Sequence, residues 1–194
     1  PFCELDPHAG DGDFGMSVAK GFRCLKEQWQ SILAGSDTIG SFLDQSSLVI
    51  MEHCGGASGP IWGSAFRAAS RSAGQKTVLS AEETAELLQA AVRGIQTTGE
   101  RSFGRGAVVG DKTLIDALVP FADTWSRLAP TGALIPEIAR EAAKAAVFGA
   151  AATEKIVARM GRAGTVGERS LGYPDAGAYA LGVIFTACAD CLQG

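Results

Sequence analysis

Apolar residues recur along most of this chain at the three- or four-residue spacing that is typical of amphipathic helices. The clearest segment begins at Ser80, which together with Glu83 forms a capping box, a common helix start. No run combines sustained two-residue alternation with β-branched residues, so strands are not expected. The pattern therefore predicts an all-α fold in a single domain over residues 1–194. The apolar positions that share one face of this helix are Leu87, Leu88, Ala91, Val92 and Ile95.

Six further helices are predicted from the same period and from residues that start and stop helices. Pro136 suits the first turn of its helix, because the amide hydrogen that proline lacks is not needed there. Four small residues give that helix a face for close packing: Ala142, Ala145, Ala146 and Gly149. The predicted ranges are 13–34, 38–54, 60–73, 112–128, 135–160 and 174–192.

Composition supports tightly packed helices and argues against a nucleic-acid surface. Hydrophobic residues make up 46% of the chain and aromatic residues only 7%, while glycine and alanine are abundant. Small residues let helices approach closely. The net charge of −4 lacks the basic excess that nucleic-acid binding requires. A bound anion would therefore have to be held locally, by a metal ion or by a helix N-terminus.

The cysteines and the apolar runs bear on where the protein works. Five scattered cysteines do not form a disulfide framework, and free thiols fit a reducing cytoplasm. Cys188 and Cys191 form a CxxC pair that could be redox-active or bind zinc, but without a second pair they are interpreted as two positions on a terminal helix. Apolar runs end well short of the roughly 20 residues of a membrane span. No signal peptide is visible.

Polar, glycine-rich connections separate the predicted helices and carry the residues that chemistry would use. There are four such connections. If neighbouring helices run antiparallel, alternate connections fall at the same end of the fold, and we expect the four to meet there. The connections are residues 4–13, 54–60, 99–112 and 161–177.

The first connection holds Asp6, Asp11 and Asp13 among glycines. Carboxylates that converge repel one another unless a cation neutralises them, and magnesium prefers such oxygen ligands. The alternative is that Asp11 and Asp13 form turns and a helix cap. An EF-hand is excluded. If Asp11 were the first ligand of its twelve-residue loop, the last position, which requires glutamate, would be Phe22.

The segment from Gly106 to Thr113 resembles a phosphate-binding P-loop, but Asp111 separates Gly110 from Lys112 and no buried strand precedes it. A P-loop fold is therefore rejected. The segment is still expected to form a glycine-rich loop that opens a helix.

The remaining two connections each allow two interpretations. Residues 54–60 contain Ser58 and Pro60 and could cradle an anion, or could form an ordinary glycine-rich turn. Arg162 and Arg169 could offset phosphate charge, or could be solvated loop residues.

Taken together and in order, the motifs LD…GDGD-x-G, GGASGP, GDKT and GRA…GERS-x-G-x-x-D-x-G resemble the L subunit, or the equivalent C-terminal domain, of dihydroxyacetone kinases. The resemblance covers nearly the whole chain. It implies a closed barrel of eight antiparallel helices, with magnesium and a nucleotide in the loops at one end. Seven helices are predicted, which is consistent with a first helix upstream of Pro1. Whether one helix or a whole K-type domain precedes Pro1 stays open.

The resemblance also assigns residues. Asp6, Asp11 and Asp13 would hold two magnesium ions. No catalytic residue is expected in this chain, because the family's sugar-capturing histidine belongs to the partner. The residues expected to bind ADP or ATP are Phe14, Gly15, Met16, Ser17, Ala57, Ser58, Gly106, Leu114, Arg162, Asp175, Ala176 and Gly177.

This chain departs from the family pattern in its first and last motifs. Phe14 stands where His or Cys is common, and Ser17 where many members have Asn or Thr. Gly164 and Thr165 replace a serine and a tyrosine in GRASYLGERS. We expect metal binding to survive these changes, while nucleotide affinity, nucleotide exchange and sugar preference depend on them.

The implied activity is phosphoryl transfer to a ketose held by a K-type partner subunit or domain. Two donors remain open: ATP that exchanges each cycle, or bound ADP that a phosphotransferase-system protein rephosphorylates. A non-catalytic nucleotide-binding module that regulates a protein partner is the alternative function. The expected partners include neither nucleic acid nor membrane, and a homo-oligomer remains open.

Overall fold

The computed structural model describes residues 14–161, 163–165 and 167–192, and every regular element in these ranges is helical. The predicted all-α class is confirmed. Seven α-helices are observed there: α1 (Phe14–Ala34), α2 (Ile39–His53), α3 (Ser58–Ala73), α4 (Ala81–Phe103), α5 (Ile115–Leu128), α6 (Ile135–Ala152) and α7 (Ala176–Cys191).

These helices fall into two compact units, which we describe separately. The first unit comprises Gly15–Gly106, where α3 packs against both α2 and α4. The second unit comprises the described residues from Ala107 onward and includes Phe14. There α6 packs against both α5 and α7. Closure of an eight-helix barrel and the single-domain assignment stay predictions.

Local capping explains where several helices begin. The Ser80 hydroxyl accepts a hydrogen bond from the Glu83 amide at 3.2 Å, and the Glu83 carboxylate accepts one from the Ser80 amide at 2.8 Å. The predicted capping box is therefore confirmed, and it satisfies two amides that have no partner within the helix. Thr38 and Ser41 make the equivalent exchange at the start of α2.

Small residues bring helices of the second unit into close contact, as the composition predicted. Ala142 and Ala146 on α6 have no exposed surface. A Cβ atom built on Gly149 would lie 2.1 Å from the backbone oxygen of Asp116 on α5, so only glycine fits there. The first unit shows the same packing at Gly40, where a Cβ would lie 2.1 Å from the backbone oxygen of Gly74.

Two predicted helix boundaries were wrong. The helix predicted over 135–160 ends at Ala152, and a 3₁₀ turn over Thr153–Lys155 follows it. The helix predicted from residue 112 begins at Ile115, because Lys112 has a left-handed backbone with φ of 61°. In both places contacts with distant parts of the chain override local helix propensity.

The CxxC pair lies on a terminal helix, as predicted. Cys188 and Cys191 are on α7, and both are exposed free thiols. Within the described ranges no helix is long and apolar enough to cross a bilayer.

The contact at Gly149 predicts that Gly149→Ala destabilises the protein by about 1–3 kcal/mol, because the new methyl group must push two helix backbones apart. An unobstructed helix position would instead gain up to ~1 kcal/mol from this change. Urea unfolding measures the difference. Ala151→Gly, at an exposed position of the same helix, calibrates the helix-propensity contribution. An unchanged or increased free energy of unfolding in Gly149→Ala would contradict the close contact.

Candidate functional site

In the first unit, the start of α1 lies against the glycine-rich turn that precedes α3. The Ser17 hydroxyl donates a hydrogen bond of 2.7 Å to the backbone oxygen of Gly55. One turn further along α1, a Cβ atom on Gly21 would lie 2.1 Å from the Sγ of Cys54, so glycine is needed for the helix to approach. The structure thus brings Ser17 beside the turn that leads into Ala57.

The N-terminus of α3 has the chemistry of an anion site. Ala57 occupies the cap position and offers no side-chain acceptor, and the first turn that begins at Ser58 contains no carboxylate. Gly59 lets this turn pack closely, because a Cβ there would lie 2.8 Å from the backbone oxygen of Cys54. Backbone amides at a helix start, together with the helix dipole, favour a phosphate group. Within the described residues, therefore, neither a cap nor a carboxylate of the first turn of α3 occupies that position.

The other predicted residues of the first unit are placed as follows. Gly15 is buried in the first turn of α1, next to Phe14, and Met16 is exposed. Gly106 follows α4, and its backbone oxygen accepts a hydrogen bond from Arg105. A Cβ on Gly106 would lie 3.1 Å from the Cβ of Gln96. The described contacts of Gly106 do not join it to Ser17 or to α3.

In the second unit, the starts of α5 and α7 meet. Leu114 immediately precedes α5, and a Cβ atom on Gly177 would lie 3.1 Å from the Leu114 Cβ. Asp175 caps α7 by accepting a hydrogen bond of 2.7 Å from the Ala178 amide. Ala176 begins α7 and is buried. Four residues predicted to bind nucleotide, namely Leu114, Asp175, Ala176 and Gly177, are therefore neighbours.

The carboxyl group of Asp175 has an unusual pKa. Burial, with a smaller contribution from the nearby Asp116, raises the pKa from 3.8 to about 7. The backbone amides of Ala178 and Gly177 and the charge of Lys112 act in the opposite direction. Desolvation is the largest of these effects, because a charged carboxylate loses its water when protein atoms surround it.

Sequence reasoning missed two buried charged residues beside Asp175. Lys112 is 1% exposed and Asp116 is 3% exposed. Asp116 accepts hydrogen bonds from the amides of Gly110 at 2.6 Å and Thr113 at 2.8 Å, which fixes the GDKT loop. The sequence signal was a lysine in the glycine-rich loop and an aspartate four residues later, in the first turn of the following helix. Such charges are buried only when they are paired or fully hydrogen-bonded.

The predicted metal ligands Asp6, Asp11 and Asp13, and the predicted nucleotide ligand Arg162, lie outside the described residues. Within the described ranges no group of three or more His, Cys, Asp or Glu side chains could hold a metal ion. The magnesium assignment therefore stays a prediction.

The described residues thus form two all-α units, and the start of one helix, α3, has neither a capping side chain nor a carboxylate in its first turn. Residues 8–190 match the DAK2 domain family. This chain belongs to the DAK2 domain family.

Individual relatives agree with this assignment. The chain is 32% identical over 174 residues to the ADP-binding subunit DhaL of the PEP-dependent dihydroxyacetone kinase of Escherichia coli, covering 90% of this chain and 79% of that protein. It is 32% identical to the L-erythrulose kinase of Pectobacterium atrosepticum, covering 97% of this chain but only 31% of the kinase. The crystal structure of the dihydroxyacetone kinase of C. freundii (native form) is similar with a TM-score of 0.73 and 25% identity, over 98% of this chain and 31% of that one.

The raised pKa of Asp175 makes stability depend on pH. Between pH 3.8 and about 7 the folded chain keeps a proton that the unfolded chain has lost. The free energy of unfolding should therefore fall as pH rises through this window, with a slope of at most about 1.4 kcal/mol per pH unit, and level off above it. The Asp175→Asn side chain keeps an oxygen for the helix cap but does not titrate. In this variant the fall of the free energy of unfolding between pH 3.8 and about 7 should lack the part due to position 175.

Urea unfolding of both proteins across this pH range checks the prediction. Asp190→Asn, at an exposed position of the same helix, serves as the control for loss of one carboxylate. The same pH profile in Asp175→Asn and the parent chain would show that Asp175 titrates normally.

Proposed function

We propose that this chain is the nucleotide-binding subunit or domain of a dihydroxyacetone-type kinase, with magnesium and ADP or ATP as its cofactors. The observation that carries the proposal is the uncapped, carboxylate-free N-terminus of α3 beside Ser17, in a chain of the DAK2 family. The relative of matching length is named as an ADP-binding subunit.

Two described groups of residues would hold the nucleotide. Phosphate oxygens would accept hydrogen bonds from amides at the start of α3, with Ala57 and Ser58, and from the first turn of α1, with Gly15 and Ser17. In the second unit, the Leu114–Gly177 contact and the neighbouring turn at Asp175 carry the further residues that the motif resemblance assigns to the nucleotide, and Arg162 would offset phosphate charge. Phe14, Met16, Ala176 and Gly106 complete the proposed set.

Magnesium would be held by Asp6, Asp11 and Asp13, since three carboxylates supply the oxygen ligands that this ion prefers. Bound there, it would neutralise phosphate charge during phosphoryl transfer. The chain's own residues would orient the nucleotide, and positioning together with charge neutralisation accounts for most of the catalysis of this reaction type.

The acceptor would be a triose or tetrulose ketose held by a K-type partner. The chain spans 31% of the L-erythrulose kinase that it matches, so the remainder of such a protein provides room for a sugar-binding part. A phosphotransferase-system protein is a possible donor partner, because matching subunits are named as PEP-dependent and PTS-dependent. We place the protein in the cytoplasm, where the free thiols of Cys24 and Cys54 would stay reduced.

Asp11→Ala and Asp13→Ala should each abolish magnesium-dependent ADP binding and leave the helical circular-dichroism spectrum unchanged, because each removes one proposed ligand from a segment that the sequence predicts to be a loop. Titration calorimetry with magnesium and ADP measures the affinity. In the parent chain, a hundredfold excess of ligand over Kd should stabilise the fold by roughly 2.7 kcal/mol. Asp37→Ala, which removes an exposed carboxylate between α1 and α2, is the matched control. Parent-like affinity in the double variant would refute the metal assignment.

The isolated chain should not phosphorylate dihydroxyacetone, because no part of it is predicted to enclose a ketose away from water. Turnover should appear only when a K-type subunit is added, with ATP or a phosphorylated donor protein. A coupled assay of sugar-phosphate formation measures both arrangements. Robust turnover by the chain alone would overturn the proposal that this chain carries only the nucleotide part of the active site. Nucleotide binding without turnover, with either donor and an active K-type subunit, would instead favour the regulatory function.

A further inference from the structure

A buried lysine side chain organises the long connection between α6 and α7. The ammonium of Lys112 donates hydrogen bonds to three backbone oxygens: those of Ile156 at 3.1 Å, Tyr173 at 2.7 Å, and Ser170. An ammonium group has three donors, so all of them are used within the protein. Because Lys112 is also 1% exposed, it is not available to bind phosphate as the lysine of a P-loop does.

The backbone around Lys112 is built to present this ammonium. Lys112 has φ of 61°, and it is the one non-glycine residue with positive φ in the described ranges. This conformation is sterically unfavourable for a lysine, and surrounding contacts must maintain it. Asp116 supplies them by accepting hydrogen bonds from the amides on either side, at Gly110 and Thr113.

The segment that Lys112 contacts is held at several further points. The Asp111 backbone oxygen accepts a hydrogen bond of 3.0 Å from the Arg159 amide. The Ser170 hydroxyl accepts one of 2.9 Å from the Ala158 amide and donates one of 2.7 Å to the backbone oxygen of Gly167. Lys112 joins the beginning of this segment, at Ile156, to its end, at Tyr173. The Gly172 amide makes a parallel link, because it donates a hydrogen bond of 2.9 Å to the backbone oxygen of Glu154.

Three nearby carboxyl groups favour the charged form of the Lys112 side chain. Desolvation lowers its pKa, while Asp175, Glu154 and Asp116 favour the charged form. Asp175 is the cap of α7. The same cation therefore acts on the connecting segment through three hydrogen bonds and on the start of α7 through its charge.

We propose that Lys112 is a positioning residue for nucleotide binding: its ammonium holds the described parts of the connection from Ile156 to Tyr173, and with them the start of α7 at Asp175, in the arrangement that binds ADP. This inference rests on the proposed function. Lys112 contacts no ligand in this scheme and acts only through the segment that it holds.

Two variants separate the ammonium from the backbone. Lys112→Gly removes the side chain and keeps a residue that readily adopts positive φ. Lys112→Met keeps the length of the side chain and removes its charge. Lys144→Met, which removes an exposed ammonium on α6, is the matched control. If neither Lys112 variant folds, Ser170→Ala loosens the same segment from its other side, because it removes the bonds to Ala158 and Gly167.

Hydrogen–deuterium exchange and titration calorimetry with magnesium and ADP are the measurements. We expect exchange in residues 156–173 to rise roughly tenfold in the Lys112 variants while exchange in α5 stays unchanged. The Kd for ADP should rise by a factor of about ten to a hundred. Added n-butylammonium matches the deleted side chain, so it should restore both quantities in Lys112→Gly but not in Lys112→Met, where the site is filled.

The exchange and affinity measurements together test the role of Lys112. Unchanged exchange in 156–173 would overturn the inference, as would increased exchange with an unchanged Kd for ADP. A purely structural role would raise exchange in every helix, with parent-like affinity in the folded fraction and no rescue by n-butylammonium. If the parent chain does not bind magnesium and ADP, the proposed function fails and the nucleotide part of the inference fails with it. The exchange data would then still decide whether Lys112 holds the segment.

Discussion

A lysine ammonium that is removed from water must find three acceptors, and in this chain the backbone after α6 provides all of them. The acceptors of Lys112 come from Ile156, Ser170 and Tyr173, all on one connection. These acceptors follow the end of α6 at Ala152 and the 3₁₀ turn over Thr153–Lys155. The Thr153 hydroxyl stabilises this turn by accepting a hydrogen bond of 2.8 Å from the amide of Asp175. The connection between α6 and α7 is thus held by one buried ammonium together with the Thr153 hydroxyl and the Asp175 cap.

The helices themselves depend on a different constraint, which is how closely their backbones approach. At Gly149 in the second unit and at Gly40 in the first, a single added carbon would collide with a backbone oxygen. Alanine-rich faces such as that of α6 bury little area per residue but allow short interhelical distances, where many weak dispersion contacts accumulate. This type of packing depends on residue size. Replacing a glycine or alanine with a slightly larger residue is therefore poorly tolerated, even when the new residue is apolar.

Local sequence was sufficient to predict the features that depend on local physics. The capping box at Ser80, the position of Pro136 and the small-residue face of α6 depend on residues within one or two turns, and the structure has them as expected. The sequence could not reveal the end of α6 or the role of Lys112, because the acceptors of that lysine lie 44 to 61 residues away.

The candidate site was predictable to a similar degree. The motif resemblance selected Ser17, Ser58, Leu114 and Gly177, and it placed them in connections or at helix starts, where the structure finds them. Periodicity alone could not pair Leu114 with Gly177, because that contact depends on how α5 and α7 pack. The pKa of Asp175 was likewise beyond sequence reasoning, since desolvation by surrounding atoms is its main cause.

The close approach of Gly21 on α1 to the Cys54 sulfur limits which substitutions related chains can accept at these two positions. The Cys54 sulfur fills the space that a side chain at position 21 would need. The two positions therefore share one fixed volume, and a larger residue at one is compatible only with a smaller residue at the other. In related chains we expect these positions to covary in size, with glycine retained wherever its counterpart is bulky. Their effects on stability would be non-additive in a double-mutant cycle. A substitution at position 54, next to the glycine-rich turn, is therefore expected to be accompanied by a compensating substitution at position 21 of α1.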